Sequence, residues 1–506
     1  MPSRVRIELL PLGATLTVPP GTALQDLLFT QGVEFPCGGR GRCKGCRIRV
    51  LEGHLPVTEE DARLLNRGEL DNGWRLACRA RPTTDLKVEF AQWEALILAD
   101  DSKLSFTPRQ GLGVAVDLGT TTIVAQLVDL ANGNVLGVRT ALNDQARHGA
   151  DIMSRVDFAV HGSERVLQKL IREQIGSLVG ELIAPGHAGE LQDVVVVGNT
   201  VMHHLFCGVS VEPLSQYPFL PEEDGLKVFD PAELGWDLAR NGNGVKRGAK
   251  VHFLPCLGGF VGSDILAGVL AVALHESERP AALIDLGTNG EIVVGNRQKM
   301  LCSSTAAGPA FEGARISMGM RAATGAISEV TWRDGEFHCH VLGGVDPRGI
   351  CGSGLVDAVA TALKVGRIDP SGRLVQGESM LLKAPVALNQ KDVRELQLAK
   401  GAIAAGLRLL LERWGAEPKD LARVYLAGAF GNYISRTNAQ RIGLVSFPPE
   451  QVEAAGNTAL RGAKLALFAL PEEGSYGALR ARIEHVPLNE DERFQDVFVD
   501  EMRFPE

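Results

Sequence analysis

Two stretches of the chain nearly repeat one another, and this duplication limits the folds that the sequence can adopt. The first reads Val114-Ala-Val-Asp117-Leu-Gly119-Thr-Thr-Thr-Ile-Val, and the second reads Ala282-Leu-Ile-Asp285-Leu-Gly287-Thr-Asn-Gly-Glu-Ile-Val-Val. In each, an apolar run ends in an aspartate, turns at a glycine and resumes, which predicts a strand, a tight turn and a strand. Around them, helical and strand-like runs alternate. We therefore expect two related α/β subdomains around a cleft.

The two predicted turns carry residue types that bind phosphate groups. Glycine lets the backbone approach a phosphate, and turn N–H groups and hydroxyls donate hydrogen bonds to it. Asp117 and Asp285 end their strands, where they are suited to hold Mg²⁺ through water. A pair of ordinary β-hairpins is the alternative, but the near-duplication favours a phosphate clamp. The predicted phosphate-binding residues are Gly119, Thr120, Thr121 and Thr122 in the first turn and Gly287, Thr288 and Asn289 in the second.

The composition is that of a soluble globular protein with several domains. The 506 residues are 45% hydrophobic and 22% charged, and a chain of this length is expected to hold about three or four domains. The net charge is −9 without a basic patch or tail, so nucleic acid is not an expected partner. No apolar run reaches the ~18 residues of a membrane span, and the first residues lack the apolar core of a signal peptide. We expect a cytoplasmic protein without membrane association.

Four cysteines near the start of the chain have the spacing of a metal-cluster site. Cys37, Cys43 and Cys46 form a C-x5-C-x2-C run, and Cys78 follows after 31 further residues. Clustered thiolates favour iron–sulfur clusters, and the four glycines between Cys37 and Cys46 suit a loop that wraps one. A structural zinc site is the alternative. Zinc sites usually pair two short cysteine hooks, whereas here three cysteines share one loop and the fourth stands alone.

This cysteine-rich stretch resembles the [2Fe–2S] ferredoxins. The resemblance implies a β-grasp domain over residues 1–93 with a [2Fe–2S] cluster bound by all four cysteines. The polar, turn-rich residues 94–111 follow, and we interpret them as a linker. Apolar runs within the domain predict short strands at residues 5–10, 15–18 and 47–51 and a short helix at residues 23–28.

The chain from about residue 113 to about residue 470 resembles the acetate and sugar kinase/Hsp70/actin superfamily. No G-x-x-x-x-G-K-[ST] or G-x-G-x-x-G motif supports a P-loop or Rossmann fold instead. The resemblance implies that the repeats are two phosphate motifs of an ATPase, and that Gly428 and Gly431 belong to its adenosine motif. The implied domains are RNase H-like subdomains at residues 112–275 and 276–470 and a C-terminal extension at residues 471–506 that packs on them.

The same resemblance suggests roles for three further stretches. Asp264, in Gly262-Ser-Asp264, lies where sugar kinases of this superfamily carry a catalytic aspartate at the start of a helix, and it would orient water for attack on the γ-phosphate. An aspartate at a helix start is also a common N-cap, and the sequence leaves both roles open. Residues 349–357 and 438–443 look like parts of the helices that connect the two subdomains.

The two parts together, with Ala307-Gly-Pro-Ala-Phe-Glu-Gly and Gly349-Ile-Cys-Gly-Ser-Gly, resemble the reductive activators of corrinoid proteins over nearly the whole chain. The resemblance implies ATP-dependent reduction of an inactive Co(II) corrinoid protein to Co(I) in a methyltransferase system. A separate low-potential ferredoxin, flavodoxin or their reductase would supply electrons, and a second copy of the chain is a further candidate partner. For a small oxygen ligand to cobalt, Ser304 is the first candidate and Ser303 the second.

Two other classes of protein remain as alternatives. Activators of radical dehydratases or reductases have a similar ATPase body, but they hold a [4Fe–4S] cluster at a subunit interface, which the four cysteines here do not resemble. A non-redox chaperone or small-molecule kinase with an accessory iron–sulfur module is the second alternative.

Overall fold

The computed structural model describes most of the 506-residue chain. Cys37, Cys43 and Thr288, together with residues 94–105 of the predicted linker, lie outside the described residues. The described residues are 4–10, 14–29, 41, 46–90, 106–149, 151–183, 191–236, 238, 248–287, 289–308, 310–313, 315–320, 322, 325–431, 434–469 and 473–506.

The N-terminal domain is built on one mixed five-stranded sheet. Its elements are β1 (Val5–Leu10), β2 (Ala14–Val18), α1 (Leu24–Phe29), β3 (Arg47–Glu52), α2 (Glu59–Leu64), α3 (Arg67–Asp71), β4 (Trp74–Leu76) and β5 (Leu86–Phe90). The strand order is β2-β1-β5-β3-β4, with β1 parallel to β5 and the other neighbours antiparallel. Alternate strand residues such as Ile7, Leu9 and Val88 are fully buried, as the period of a strand requires. The predicted β-grasp fold is confirmed.

The first half of the body contains a six-stranded sheet. Its elements are β6 (Leu112–Leu118), β7 (Thr122–Asp129), β8 (Val135–Leu142), α4 (Ile152–Phe158), α5 (Glu164–Ile183), β9 (Leu191–Gly198), α6 (Thr200–Cys207), β10 (Lys227–Phe229), β11 (Lys250–Phe253) and α7 (Ser263–Ala271). The strand order is β10-β11-β9-β6-β7-β8. The predicted hairpin around Gly119 is therefore the β6–β7 connection.

The second half contains another six-stranded sheet and two smaller ones. The strands are β12 (Ala281–Leu286), β13 (Gly290–Gly295), β14 (Met300–Thr305), β15 (Ala326–Arg333), β16 (Glu336–Val341), β17 (Gly349–Ile350), β18 (Ser379–Lys383), β19 (Val386–Asn389), β20 (Val424–Ala427), β21 (Val452–Gly456) and β22 (Ile483–His485). The helices are α8 (Gly352–Lys364), α9 (Gln390–Trp414), α10 (Gly428–Gly431), α11 (Arg436–Arg441), α12 (Thr458–Ala469), α13 (Glu473–Arg480) and α14 (Phe494–Met502).

The two large sheets share one topology, which confirms the predicted pair of related α/β subdomains. The second has the order β21-β20-β12-β13-β14-β22. In each half, an antiparallel run of three strands (β6-β7-β8 or β12-β13-β14) is extended on its first strand by a parallel fourth strand (β9 or β20) and fifth strand (β11 or β21). The strand β22 from the C-terminal extension adds to the second sheet beside β14.

The helices α7 and α12 lie between the sheets and cross each other at glycines. A Cβ atom at Gly462 of α12 would lie 2.0 Å from the carbonyl oxygen of Ala267 in α7. One at Gly268 of α7 would lie 2.9 Å from Leu283 Cδ2. Glycine is required because any side chain would separate the helices. Inward-facing residues of both sheets, such as Ala115 and Val293, are buried in the same core as these helices.

The prediction for the connecting helices was wrong. The first predicted stretch, residues 349–357, covers β17 and the start of α8, which packs against β15 of a small sheet. The second, residues 438–443, overlaps α11, which packs on α8. The helices that join the halves are α7 and α12. None of the helices in the described ranges is both long and apolar enough to cross a membrane.

Candidate functional site

The two glycine turns form the opposing lips of the cleft. In the first, Gly119 N–H donates to the carbonyl of Thr122 over 3.1 Å, and a Cβ at Gly119 would lie 2.6 Å from that oxygen. In the second, Gly287 N–H donates to the carbonyl of Asn289 over 3.1 Å. Both connections are therefore tight turns that leave the following residues at the strand tip, as a phosphate clamp requires.

Side chains from distant segments brace the first turn. Asn199 Nδ2 donates to Thr120 Oγ1 (2.9 Å), Arg155 Nη2 donates to the Thr120 carbonyl (2.6 Å), and Asn143 Nδ2 donates to the Gly119 carbonyl (3.0 Å). Arg155, Asn143 and Asn199 are themselves buried. A turn held in this way is organised before a ligand arrives, which lowers the entropy cost of binding. No local motif marks these residues, and the sequence did not identify them.

A row of polar side chains crosses the second sheet on its cleft face. The register pairs Asp285 of β12 with Glu291 of β13, and Glu291 with Ser304 of β14. Directly paired residues of antiparallel strands project from the same face with their Cβ atoms about 5 Å apart. Ser304 Oγ donates to Glu291 Oε1 over 3.2 Å. Glu291 was visible in the sequence next to the second motif, but its direction depends on the strand register, and it was not predicted.

The corresponding row in the first half is less polar. There, Asp117 of β6 pairs with Val124 of β7, and Val124 pairs with Thr140 of β8. Both rows therefore begin with an aspartate and end with a hydroxyl residue, Thr140 in the first half and Ser304 in the second. Only the second row has a further carboxyl group, that of Glu291, between them.

The carboxyl groups of Asp117, Asp264, Asp285 and Glu291 face one another across the floor of the cleft. Burial raises the pKa of Asp285 to about 7, with a smaller contribution from Asp117. Burial, followed by the nearby Asp285 and Asp117, raises the pKa of Asp264 to about 8. Burial, followed by Asp264 and Asp285, raises the pKa of Glu291 well above its usual range. At neutral pH this cluster therefore holds protons that a bound cation would displace.

Asp264 lies in the first turn of α7 and is not its N-cap. The N-cap position is Gly262, and Asp264 Oδ1 accepts from its neighbour Ile265 N–H over 2.9 Å. The helix start is held by Ser263, whose Oγ accepts from Gly198 N–H and donates to the Gly198 carbonyl, both over 3.1 Å. The capping alternative for Asp264 is therefore wrong, and its carboxyl is directed toward the aspartates of both phosphate turns.

Asn457 completes the surroundings of Asp117. Its Nδ2 donates to Asp117 Oδ2 over 2.8 Å, which partly offsets the effect of burial, and the pKa of Asp117 is raised to about 6. Asn457 immediately precedes α12, so the second half of the sequence supplies a residue to the aspartate of the first half. The sequence did not identify it.

The two serine candidates have opposite orientations. Ser304 lies on the cleft face beside Glu291, whereas Ser303 is 1% exposed and its Oγ donates to the Val486 carbonyl over 2.7 Å on the other side of the sheet. Both belong to β14. Only Ser304 is therefore placed to contact a ligand in the cleft.

The glycines of the candidate adenosine motif bring β20 against the second phosphate turn. Gly428 has φ of +80°, and a Cβ there would lie 2.6 Å from Asp285 Oδ1. A Cβ at Gly431 would lie 3.1 Å from the Leu426 carbonyl carbon. Gly428 is thus required both for its backbone conformation and for its approach to the second aspartate.

The described cysteines of the N-terminal domain lie together. The Ala77 N–H donates to the Cys46 carbonyl over 2.9 Å, next to the last pair of the β3–β4 ladder, and Cys78 follows Ala77 directly. Gly41, between the other two cysteines in sequence, has φ of +63°, and Arg63 Nη2 donates to its carbonyl over 2.7 Å. A Cβ at Gly41 would lie 2.8 Å from Arg79 Nε, so Gly41 lies beside the residue that follows Cys78. The described geometry fits an iron–sulfur cluster.

Within the described ranges, no three His, Cys, Asp or Glu side chains are grouped so as to hold one metal ion directly.

The chain matches known proteins over nearly its whole length. Residues 7–83 match the 2Fe-2S iron-sulfur cluster binding domain, residues 112–277 the RACo middle region, and residues 279–506 the C-terminal domain of RACo, its ASKHA domain. The corrinoid activation enzyme RamQ of Eubacterium limosum is 36% identical over 422 residues, which are 76% of this chain and 69% of that protein. The chain belongs to the family of reductive activators of corrinoid proteins. It combines an iron–sulfur domain with an ATPase-type body, as the sequence predicted.

Other relatives agree with this membership. The [Co(II) methylated amine-specific corrinoid protein] reductase of Methanosarcina barkeri is 28% identical over 379 residues, covering 69% of this chain and 68% of that one. The solved structure of a reductive activator for corrinoid, iron-sulfur protein is 26% identical with a TM-score of 0.68, over 99% of this chain and 98% of that one.

The raised pKa values of the cleft carboxyls predict that the stability of the fold depends on pH. A carboxyl whose pKa is higher in the folded than in the unfolded chain binds protons more tightly when folded, so its destabilising effect grows as pH rises toward its folded pKa. For Asp264 this range runs from about 4 to about 8. In nucleotide-free, Mg²⁺-free protein, Asp264→Asn should therefore raise the melting temperature at pH 8.5, and this gain should shrink as the pH falls and disappear at about pH 4.

Calorimetry or thermal fluorescence on the full chain measures this difference. Asp151→Asn, at the exposed N-cap of α4, is the matched control and should show no pH-dependent gain. An Asp264→Asn effect of equal size at both pH values would contradict a protonated Asp264.

Proposed function

We propose that this protein uses ATP to drive the reduction of a protein-bound Co(II) corrinoid to Co(I) in a methyltransferase system. The observation that carries the proposal is the presence, in one chain, of a cysteine-bearing β-grasp domain and an acidic cleft between duplicated halves, matched over 99% of its length by a reductive activator. Names of relatives support the corrinoid protein as the partner. The geometry of the cleft supports a nucleotide as the second ligand.

The electron balance of the reaction is simple. When bound, a reduced [2Fe–2S] cluster supplies one electron, which converts Co(II) to Co(I) as the cluster returns to its oxidised form. A plant-type cluster has a reduction potential of about −400 mV, and the reduction potentials of Co(II)/Co(I) corrinoids are lower. Each ~59 mV of mismatch costs a factor of ten in a one-electron equilibrium. Hydrolysis of ATP to ADP and phosphate supplies the free energy that the cluster alone lacks.

The cluster is proposed to be [2Fe–2S], with Cys37, Cys43, Cys46 and Cys78 as ligands. The C-x5-C-x2-C spacing, the β-grasp sheet and the adjacency of Cys46 and Cys78 support this assignment. We further propose that a separate low-potential ferredoxin, flavodoxin or reductase supplies its electrons. The matched domains leave only residues 84–111 between them, which is too short a stretch for a flavin or nicotinamide domain.

The cleft residues are proposed to bind Mg²⁺–ATP. The turns at Gly119–Thr122 and Gly287–Asn289 would hold the phosphates, the glycines at 428 and 431 would admit the adenosine, and Asp117 and Asp285 would hold Mg²⁺ through water. Asp264 lies between the two aspartates and would orient the attacking water. Binding of the cation would displace protons from the cleft carboxyl groups, and the ionised Asp264 would then accept a hydrogen bond from that water.

Glu291 and Ser304 extend this hydrolytic site. The Ser304 hydroxyl stabilises the charged form of Glu291 and so lowers the pKa of Glu291, against the larger effect of burial. We propose that Ser304 positions Glu291, and that Glu291 assists Asp264 in accepting a proton from water. This position favours a role at the nucleotide over the cobalt contact that the sequence suggested.

The first experiment counts metal. We expect two irons and two acid-labile sulfides per chain, with the EPR signal of a [2Fe–2S] cluster after reduction. Cys46→Ser or Cys78→Ser should lose most of both. Cys207→Ser, which changes a partly exposed cysteine of α6, is the control and should retain them. Four irons per chain, or zinc in place of iron, would refute the assignment.

The second experiment follows the reaction itself. Reduced protein is mixed with a Co(II) corrinoid protein, with and without Mg-ATP, and Co(I) absorbance is recorded. Asp117→Ala and Asp285→Ala should lower ATP hydrolysis at least about 100-fold, the scale of one lost electrostatic contact in a transition state, and should lower Co(I) yield. Asp157→Ala, at a side chain 78% exposed on α4, is the control. Full reduction without ATP would overturn the proposal.

The third experiment separates Ser304 from its neighbour. Ser304→Ala should raise the pKa of Glu291, so the acidic limb of the ATPase pH profile should move to higher pH while nucleotide affinity stays the same. Ser303→Ala, one residue away on the opposite face, should leave the profile unchanged. Glu291→Gln should lower turnover with normal binding. A Ser304→Ala profile identical to that of Ser303→Ala would show that the contact has no part in hydrolysis.

A further inference from the structure

We propose that α12 couples the nucleotide site to the ferredoxin domain. This inference rests on the proposed function and adds the element through which ATP would act on electron transfer. The helix has the nucleotide aspartate at one end and the chain that leads to the ferredoxin domain at the other.

The N-terminal end of α12 is bonded to the clamp. Asn457 uses both halves of its amide there: Oδ1 accepts from Leu460 N–H over 2.8 Å within the helix, and Nδ2 donates to Asp117 Oδ2 over 2.8 Å. The same side chain therefore caps the helix and holds the carboxylate proposed to face Mg²⁺. A change in the bonding of Asp117 acts directly on the start of α12.

The first half of α12 contacts α7, the helix that carries Asp264. Gly462 lies against the Ala267 carbonyl of α7, and Thr458 lies near Gly268 of the same helix. Asp264 belongs to the first turn of α7. The two helices approach closely at these small residues, and packed helices can shift against each other by small sliding motions.

The C-terminal end of α12 anchors the incoming chain. The rings of Phe106 and Phe468 are 4.2 Å apart, and Arg109 Nη1 donates to the Leu467 carbonyl over 2.5 Å. Arg109 Nη2 also donates to Asp193 Oδ2 over 2.9 Å, which ties this anchor to β9. A Cβ at Gly113 of β6 would lie 2.9 Å from Leu467 Cδ2. The segment from the ferredoxin domain thus enters the body on the last turn of α12.

These contacts fix both ends of α12, one at the nucleotide aspartate and the other at the segment that leads to the ferredoxin domain. A helix of 12 residues spans about 18 Å. When Mg²⁺–ATP engages Asp117, it competes with Asn457 for the carboxylate, so the Asn457 bond exists in one state of the site and is weakened in the other. A shift of α12 that follows this change alters the Phe106 and Arg109 contacts at its far end. Nucleotide binding then biases where the ferredoxin domain is held.

Hydrogen exchange tests the coupling without a partner protein. We expect amide exchange over residues 106–113 of the full chain to differ between Mg-ADP and a Mg-bound non-hydrolysable ATP analogue. Asn457→Ser keeps a capping side chain but removes the amide donor to Asp117, so it should remove the difference. The coupling would be overturned if exchange in the wild type were the same with both nucleotides. It would also be overturned if Asn457→Ser showed the same difference between nucleotides as the wild type.

Turnover provides the second test. Phe106→Ala should leave iron content and partner-free ATPase unchanged but should raise the ATP consumed per Co(I) formed at least about 5-fold, the lower range of allosteric coupling. Phe494→Ala, which removes a ring stacked on Phe498 in α14, is the control and should not change that ratio. An unchanged ratio in Phe106→Ala would refute the proposal. Failure of the wild type to form Co(I) would instead refute the proposed function, while the exchange experiment would still decide the coupling.

Discussion

The cleft depends on the desolvation of four carboxyl groups that the fold gathers from two halves of the chain. Asp117, Asp264, Asp285 and Glu291 cannot all carry charge there at neutral pH, because burial and mutual repulsion raise their pKa values. A divalent cation reverses this balance by compensating the charge that burial penalises. Without a cation, protonation of the carboxyls or separation of the two halves therefore lowers the free energy of the cleft. With the proposed cation bound, closure of the halves around it would lower that free energy instead.

The duplication explains why this cleft is asymmetric. Both halves retain the strand, glycine turn and aspartate, as expected if each half supplies one side of the proposed phosphate clamp. The neighbouring strand positions have diverged, with Val124 in the first half and Glu291 in the second. Proton transfer needs a base on only one side of the attacking water. The first half is thus free to carry an apolar residue, which packs with the central helices.

Features that depend on residues close together in the sequence, such as strands and turns, were predicted from the sequence. The first strand was predicted at residues 5–10 and is Val5–Leu10, and both glycine turns lie between paired strands where their motifs placed them. Residues that depend on register or on distant contacts were missed. Glu291 faces the cleft only because β13 pairs in one register, and Asn457 reaches Asp117 from 340 residues away. The error over the connecting helices has the same origin, because glycine-rich helix starts look alike in sequence and only packing shows which pair crosses.

The separation of the two cofactor regions limits how ATP can assist reduction. Cys46 and Cys78 lie in the β-grasp domain, whereas the carboxyls belong to the body, so ATP has to act through the placement of domains or of the partner. Shifting a two-state equilibrium from 1:99 to 99:1 requires about 5.5 kcal/mol, a change of about 10⁴-fold. For one electron this corresponds to about four steps of ~59 mV, or roughly 240 mV. A conformational bias of ordinary size is therefore sufficient to offset a substantial mismatch between cluster and cobalt, provided that a rigid element joins the nucleotide site to the chain that carries the cluster.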